Sequence, residues 1–219
     1  MIDQEFLLEY VPLFMKGLAV TLQIAFWGCL IGVFLGTIAG VVLAKRVPVL
    51  KIFVQLYVTI IRGTPMLIQI AATYYLLKFA GFSITAFWSA IFSIGLNSGA
   101  YVSQIIVSGI NSVSSGQIEA AKTLGFSPLQ IITLIVLPQA LRNVLPALGN
   151  EFVTLVKDSS LASTIGVYEL TKQGEIVMSQ TYDAPGVFIT IGLMYLIITT
   201  VISVIVSKLE KRMQYYVKR

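Results

Sequence analysis

Histidine is absent from the 219 residues of this chain, and cysteine occurs once, as Cys29. A single thiol forms no disulfide within the chain and holds no metal alone. The absence of histidine removes the commonest metal ligand and the usual general base. No G-x-x-x-x-G-K-[ST] phosphate loop occurs, so we expect no ATP hydrolysis by the chain itself. These absences predict no catalytic site, no metal site and no bound cofactor, and they argue against an enzyme.

Charged residues are also scarce. They make up 11% of the chain, whereas a soluble domain carries roughly a quarter. Hydrophobic residues make up 57%, and the mean hydropathy is +0.88. So few charges cannot cover a surface that faces water, so most of the surface is expected to face lipid.

The charges that remain are unevenly placed. The net charge of +5 comes from 15 basic and 10 acidic residues. Acidic residues dominate the N-terminus, with Asp3, Glu5 and Glu9, and basic residues dominate the C-terminus, with Lys208, Lys211, Arg212, Lys218 and Arg219. Basic flanks of membrane spans favour the cytoplasmic side. The bases lie at span ends and form no continuous patch, which argues against nucleic-acid binding.

Five apolar stretches follow one another, each long enough or nearly long enough to cross a bilayer as a helix. They are residues 18–44, 52–77, 86–113, 139–156 and 185–206. We therefore predict a single all-α transmembrane domain over residues 1–219, with the N-terminus outside and the C-terminus inside. This orientation places residues 45–51 and the loop 114–138 in the cytoplasm. Along the first span, glycine recurs every fourth residue from Gly28 to Gly40, which predicts a closely packed helix interface.

The loop 114–138 contains the signals of two short helices. Ser114 and Gln117 fit a capping box, and Ser127 and Gln130, with proline between them, fit a second helix start. Gly125 can adopt the left-handed conformation that ends the first helix. The loop therefore predicts a rigid helical hairpin at the membrane surface, which a soluble partner could bind.

The same loop carries Glu119-Ala120-Ala121, three residues, Gly125, nine residues, Ile135, one residue and Leu137-Pro138. This pattern resembles the EAA motif of ABC-importer permeases. The resemblance implies that the loop is the coupling helix that docks on an ATP-hydrolysing subunit. The residues expected to couple are Glu119, Ala120, Ala121, Lys122, Gly125 and Pro138. We also expect the Glu119 carboxylate to support the first turn of this helix or its hinge.

The second span contains the string Arg62-Gly63-Thr64-Pro65. Pro65 removes a backbone hydrogen bond, and the freed carbonyl needs a partner other than lipid. Arg62 needs a partner or a wet cavity at membrane depth. Thr64 and Gln69 are predicted to line a solute cavity. The alternative is a kinked helix with an arginine that extends toward the interface.

The third span has a polar centre. Asn97, Tyr101 and Gln104 are spaced by four and three residues and share one helix face, and Ser98 lies beside them. Their amide and hydroxyl groups could bind a polar solute. They could equally join neighbouring helices, at about 1 kcal/mol per hydrogen bond.

The fourth span leads directly into Lys157, Asp158 and Ser159. Charges at this depth are costly unless they face a cavity or each other. A zwitterionic amino acid would offer a carboxylate to Lys157 and an ammonium to Asp158. The alternative is a structural ion pair between the two.

The RGTP string at 62–65 and the NSGAY string at 97–101 resemble the polar amino-acid branch of the ABC-importer permeases. The resemblance implies a type I importer permease in the bacterial inner membrane, multi-pass, paired with a second copy or paralogue. It also implies two ATP-binding subunits and an extracellular or periplasmic solute-binding protein. With Asp158 as the only acid near the proposed pocket, glutamine is favoured, while cystine, arginine and histidine remain open. An ion-coupled secondary transporter that uses Glu151 or Asp158 is the alternative.

Overall fold

The computed structural model describes the backbone of residues 4–45 and 48–215 and the side chains of residues 9–45 and 48–212. All secondary structure in these ranges is helical. The elements are α1 (Gln4–Lys45), α2 (Pro48–Gly63), α3 (Met66–Phe79), α4 (Ala86–Asn111), α5 (Ser115–Thr123), α6 (Pro128–Gln130), a π-helix (Ile131–Val136), α7 (Leu137–Asp158), a 3-10 helix (Ser159–Ile165), α8 (Leu170–Thr181) and α9 (Ala184–Tyr215). The predicted membrane orientation rests partly on the charges of Asp3, Glu5, Lys218 and Arg219. The side chains of these four residues lie outside the described residues.

Four segments of the described chain are long and apolar enough to cross a membrane. They are Glu9–Lys45, Ala86–Asn111, Pro128–Ile165 and Ala184–Arg212. A fifth span arises if α2 and α3 are counted together, and these two helices meet at a bend of 108°. The all-α, multi-span class predicted from the sequence is therefore confirmed. The first helix begins at Gln4, well ahead of the predicted start at residue 18.

The bend between α2 and α3 is sharper than the kink considered above. Pro65 has an extended backbone, with φ −66° and ψ 136°, so it cannot continue α2. A proline also disfavours the helical conformation of the residue before it, here Thr64. The predicted second span, residues 52–77, is therefore a broken one.

The largest helix interface joins α1 to α4, and glycine makes it possible. Along α1, the glycines spaced by four contact successive residues of α4: Gly28 with Ile94, Gly32 with Ser98, Gly36 with Val102 and Gly40 with Ile106. A Cβ added at any of these glycines would lie 2.5–2.7 Å from that partner. The two helices therefore run parallel at close approach, as the glycine spacing predicts.

Helix α7 runs antiparallel to both α4 and α9. Gly109 near the end of α4 packs on Val144, near the start of α7, and Gly149 of α7 packs on Val206, near the end of α9. The C-terminal ends of α1, α4 and α9 therefore share one end of the bundle with the loop 114–138. The basic residues Lys208 and Lys211 lie at this same end.

The segment after α7 is held to the bundle by a buried acid, Glu169, whose side chain is 0% exposed. Its carboxylate caps α8, accepting from the backbone N–H groups of Thr171 (2.9 Å) and Lys172 (2.8 Å). It also accepts from the hydroxyls of Tyr195 in α9 (2.8 Å) and Thr21 in α1 (3.4 Å). Burial raises the pKa of Glu169, and these donors oppose the rise. One side chain thus joins α8 to two spans.

Glu169→Gln is expected to lower the melting temperature of the purified protein by about 5 °C, because an amide cannot accept all four hydrogen bonds. The matched control is Glu175→Gln on the same helix. Glu175 pairs with Lys172 at 2.7 Å, but both side chains are about a third exposed, so its loss costs little. Thermal unfolding in detergent measures both. Equal shifts for the two variants would show that the Glu169 network does not anchor α8.

Candidate functional site

The loop 114–138 forms a helical hairpin whose turn is built around Gly125. Gly125 has φ +81°, and its N–H donates to the Lys122 carbonyl at 3.0 Å. The N–H of Phe126 donates to the Ala121 carbonyl at 3.1 Å, which completes a Schellman motif. Ser127 and Gln130 then exchange the two hydrogen bonds of a capping box around α6. Both predictions about this turn are confirmed.

The predicted capping box at Ser114 and Gln117 is wrong. The Ser114 side chain makes no capping hydrogen bond, although Ser114 does precede α5. The Gln117 side chain instead accepts from the amide of Gln139 in α7 at 2.9 Å. This contact ties the hairpin to the start of the next span, and it is a tertiary contact that local spacing does not reveal.

The hairpin exposes two large apolar side chains among its polar ones. Leu124 and Leu129 are 76% and 70% exposed, while Glu119 and Lys122 are exposed on the same hairpin. Beside them is a shallow groove of about 350 Å³ lined by Gln117, Ala120, Ala121, Leu124, Phe126, Leu134, Ile135 and Gln139. The contact with a soluble partner that the sequence predicts for this loop stays a prediction.

The expectation for Glu119 is wrong. Its side chain is exposed and makes no hydrogen bond or ion pair among the described residues. Only its backbone carbonyl is used, by the Thr123 hydroxyl at 3.1 Å. The carboxylate points to solvent and remains available to a partner. At the far end of the hairpin, Pro138 is the second residue of α7, which directly follows the π-helix, and the side chain of Gln139 donates to the Ile135 carbonyl at 2.9 Å.

Three of the predicted solute contacts meet at the break between α2 and α3. The Gln69 amide donates to the carbonyls of Ile61 (2.7 Å) and Thr64 (3.0 Å) and to the Thr64 hydroxyl (2.8 Å). Its oxygen accepts from the Asn97 amide at 2.9 Å. Gln69 is thus the hydrogen-bond partner of the carbonyls left free at the break, and it links the break to α4. In this structure Thr64, Gln69 and Asn97 therefore stabilise the helix break.

Ser98 faces α7 rather than the break. Its hydroxyl donates to the Glu151 carboxylate at 2.8 Å. Glu151 is half-buried in a membrane span and lies seven residues before Asp158, which places both acids on one side of α7. Glu151 was not among the predicted solute contacts. The signal that could have identified it was a lone acid within an apolar span.

Tyr101 lies one helical turn from Ser98 on α4 and faces the helix break. The Arg62 guanidinium sits over its ring, 5.1 Å from the centroid. Both side chains are partly exposed, and Arg62 makes no ion pair within the described chain. The arginine therefore keeps its hydrogen-bond donors free beside a polar face.

Lys157, Asp158 and Ser159 do not form a common locus. Lys157 lines a groove between α7 and α9 with Thr199, Ser203 and Lys208, and makes no ion pair among the described residues. The Ser159 hydroxyl is buried and donates to the Val156 carbonyl at 2.8 Å. Successive helix positions point about 100° apart, which separates Lys157 from Asp158. No salt bridge joins Lys157 to Asp158 among the described residues, and the predicted solute contacts of this segment stay a prediction.

Gln104 lines a separate cavity between α2 and α4, near the hairpin end of the bundle. Among the residues with described side chains, no cluster of three His, Cys, Asp or Glu could hold a metal ion. The polar groups of the bundle thus form several separate faces.

The fold and these faces define a multi-pass helical membrane protein with polar groups inside the bundle and an exposed helical hairpin at one end. The model of the binding-protein-dependent transport system inner membrane component family matches residues 11–215, and the chain belongs to this family. The glutamine transport system permease protein GlnP of Escherichia coli (strain K12) is 35% identical over 206 residues, covering 93% of this chain and 94% of that protein.

Solved structures give the same result. A crystal structure of an amino acid ABC transporter with histidines matches with a TM-score of 0.90 at 37% identity, covering 97% of this chain and 99% of that one. The MetNI methionine ABC transporter, in an inward-facing form, matches with a TM-score of 0.78 at 22% identity, covering 97% and 99%, which shows the shared fold. The chain is the permease component of an ABC importer for amino acids, which decides against the ion-coupled secondary transporter.

Proposed function

We propose that this permease carries a zwitterionic polar amino acid across the bacterial inner membrane as one of two permease subunits. Two separate ATP-binding subunits dock on the hairpins and hydrolyse the ATP, and an extracellular or periplasmic binding protein delivers the solute. The shared position of Lys208, Lys211 and the hairpin at one end of the bundle supports a cytoplasmic location for that end. The N-terminus is then outside.

One observation carries the solute assignment. Adjacent turns of α4 hold a cation and a carboxylate: Arg62 over Tyr101, and Glu151 on Ser98. Ser98 and Tyr101 are three residues apart, so the two charges lie on neighbouring turns, Glu151 on the α7 side of α4 and Arg62 on the side of the helix break. An amino acid presents a carboxylate and an ammonium at similarly short range. We assign Arg62 to the carboxylate and Glu151 to the ammonium, with Tyr101 and Ser98 positioning them.

Glutamine is the first candidate because the relatives' names refer to glutamine transport. A second candidate is a cationic amino acid, arginine or histidine. The sequence-based preference for a neutral solute rested on Asp158 being the only acid near the pocket, and Glu151 is a second acid on the same side of α7. Two carboxylates suit a solute with two positive groups.

The hairpin supplies the coupling. ATP binding draws the two ATPase subunits together, and the docked hairpins move with them. Because the Gln117–Gln139 hydrogen bond joins the hairpin to α7, this movement reaches the span that bears Glu151. The solute faces then open alternately to the two sides of the membrane.

The test is ATP hydrolysis and solute uptake by the permease with its ATPase subunits in proteoliposomes. Binding protein loaded with glutamine, arginine, histidine or cystine is added, and ion gradients are collapsed. Stimulation of both activities by one loaded amino acid is expected and identifies the substrate. Absence of ATPase association, or uptake that continues without ATP, would contradict the proposal.

A further inference from the structure

Helix α2 carries a continuous polar stripe along its length. Lys51, Gln55, Thr59 and Arg62 are spaced by four, four and three residues, so they share one face. The neighbouring face is apolar and exposed, with Ile52, Phe53, Leu56 and Ile60. Exposure of this polar stripe, with a cation at each end, to lipid would be costly, so we expect it to face a water-filled surface.

A matching stripe on α4 lies opposite. Tyr101, Gln104, Ser108 and Asn111 are spaced by three, four and three residues. At the end of the two helices that is next to the helix break, Arg62 lies over the ring of Tyr101. At the other end, near the hairpin, the two helices and the last turns of α1 form an open cavity of about 540 Å³, lined by Leu43, Ala44, Lys51, Gln55, Val58, Thr59, Gln104, Val107 and Asn111. That volume is ordinary for a small-molecule site.

The described lining of this cavity carries positive charge and no negative charge. Its described lining contains one ammonium, three amides and one hydroxyl, and no carboxylate. Lys51 is half-buried, and it makes no ion pair or hydrogen bond among the described residues. A partly desolvated ammonium next to amide donors binds a carboxylate or another small anion.

We propose that this cavity is an inner binding site for the permeant amino acid, in which Lys51 binds the carboxylate after Arg62 releases it. Eleven residues separate the two cations along α2, a rise of about 16 Å toward the hairpin end. The amides of Gln55, Gln104 and Asn111 accept and donate to the remaining polar groups. The solute thus leaves by a second, weaker contact at the cytoplasmic side. This inference rests on the proposed function and adds an exit site to it.

The test uses the complete transporter in nanodiscs and a cysteine reporter in the cavity. Cys29→Ser removes the only native cysteine of this chain, and Val107→Cys places a thiol on the cavity wall without removing a proposed solute ligand. L-Glutamine or L-arginine at millimolar concentration is expected to slow labelling by a maleimide roughly tenfold, the size expected when a charge-assisted hydrogen bond holds the solute there. Lys51→Gln is expected to reduce this protection to less than about twofold, and Lys51→Arg to preserve it.

Two controls separate the inner site from other causes. Lys45→Gln removes a charge from the same end of the bundle, outside the cavity lining, and is expected to leave protection unchanged. Glu151→Gln alters the central solute contact, and it tests whether the protection originates there and not at Lys51. Protection that survives Lys51→Gln but disappears in Glu151→Gln would overturn the inner site, because it would report a movement driven from the centre.

The anion could instead be a lipid phosphate, so the labelling is repeated in nanodiscs of zwitterionic lipid alone and with added anionic lipid. Protection by the amino acid in purely zwitterionic lipid supports the proposal. If labelling is slow only with anionic lipid and the amino acid does not change its rate, the proposed inner site is overturned. ATP-driven uptake by the parent protein is measured in parallel. If uptake is absent, the proposed function fails; if uptake is present and Lys51→Gln retains full protection, only the inner site fails.

Discussion

Replacing Gly125 by valine is expected to reduce amino-acid uptake at least about tenfold while leaving membrane insertion and basal ATP hydrolysis intact. Gly125 has φ +81°, a conformation that a β-branched residue adopts only at a cost of about 1–3 kcal/mol. No neighbour lies within 4 Å of an added Cβ, so the cost is one of backbone conformation and not of collision. The turn relaxes, the Schellman hydrogen bonds open, and the hairpin no longer transmits force rigidly.

The chain offers two matched variants for this prediction. Gly125→Asn keeps most of the uptake, because asparagine tolerates the left-handed conformation. Gly116→Val, in the same hairpin, meets only the Ser114 hydroxyl at 3.6 Å and needs no unusual φ, so uptake stays near the parent value. The measurements are uptake and ATPase rate in the same proteoliposomes. Normal uptake by Gly125→Val would show that the turn is not a coupling element.

Replacing Glu151 by glutamine is expected to lower uptake roughly tenfold to a hundredfold, the loss that follows when a charge-assisted hydrogen bond to the solute ammonium is removed. Ser98→Ala leaves the carboxylate in place and removes only its positioning hydroxyl, so its effect is smaller. The half-saturating solute concentration is expected to rise in Glu151→Gln, because the contact binds the solute and does not drive the ATPase.

Glu175→Gln, the same chemical change on α8, is the control and is expected to leave uptake unchanged. Melting temperatures of the three variants separate a loss of solute contact from a loss of fold. If Glu151→Gln transports at the parent rate with the parent half-saturating concentration, the assignment of the ammonium to Glu151 is wrong. If its uptake falls in step with its melting temperature, Glu151 supports the structure and not the solute.

The turn of the hairpin was predictable because the interactions that form it are local. The left-handed Gly125 and the capping box of Ser127 and Gln130 each depend on residues within one or two turns. The capping box at Ser114 failed for the opposite reason: Gln117 has a competing partner, Gln139, twenty-two residues away. Sequence spacing indicates which nearby groups a side chain can bind. It does not show which group from a distant part of the chain binds that side chain instead.

The polar residues of the spans show the same division. The sequence predicted that Gln69 lines a solute cavity, and it left Asn97 and Ser98 open between solute contact and hydrogen bonds between helices. In the structure all three make hydrogen bonds within the bundle. Their grouping into one pocket was not predictable, since residues on four helices reach each other only through the packing of α1 on α4 and of α7 on α4. Glu169 was missed for this reason: its four donors come from α8, α1 and α9.

By itself the sequence determined that most of the surface faces lipid, the number of spans to within one, the glycine face of α1 that packs closely on another helix, and the geometry of the hairpin turn. Composition, helix periodicity and local capping act over short stretches of chain, which is why these features could be predicted. The tertiary structure alone decided that Pro65 breaks the second span by 108°, that Ser98 binds Glu151, and that Lys51 and Gln104 share a cavity. Those outcomes depend on which helix faces meet. In a bilayer that choice is made by close packing and by the cost of leaving any polar group without a partner.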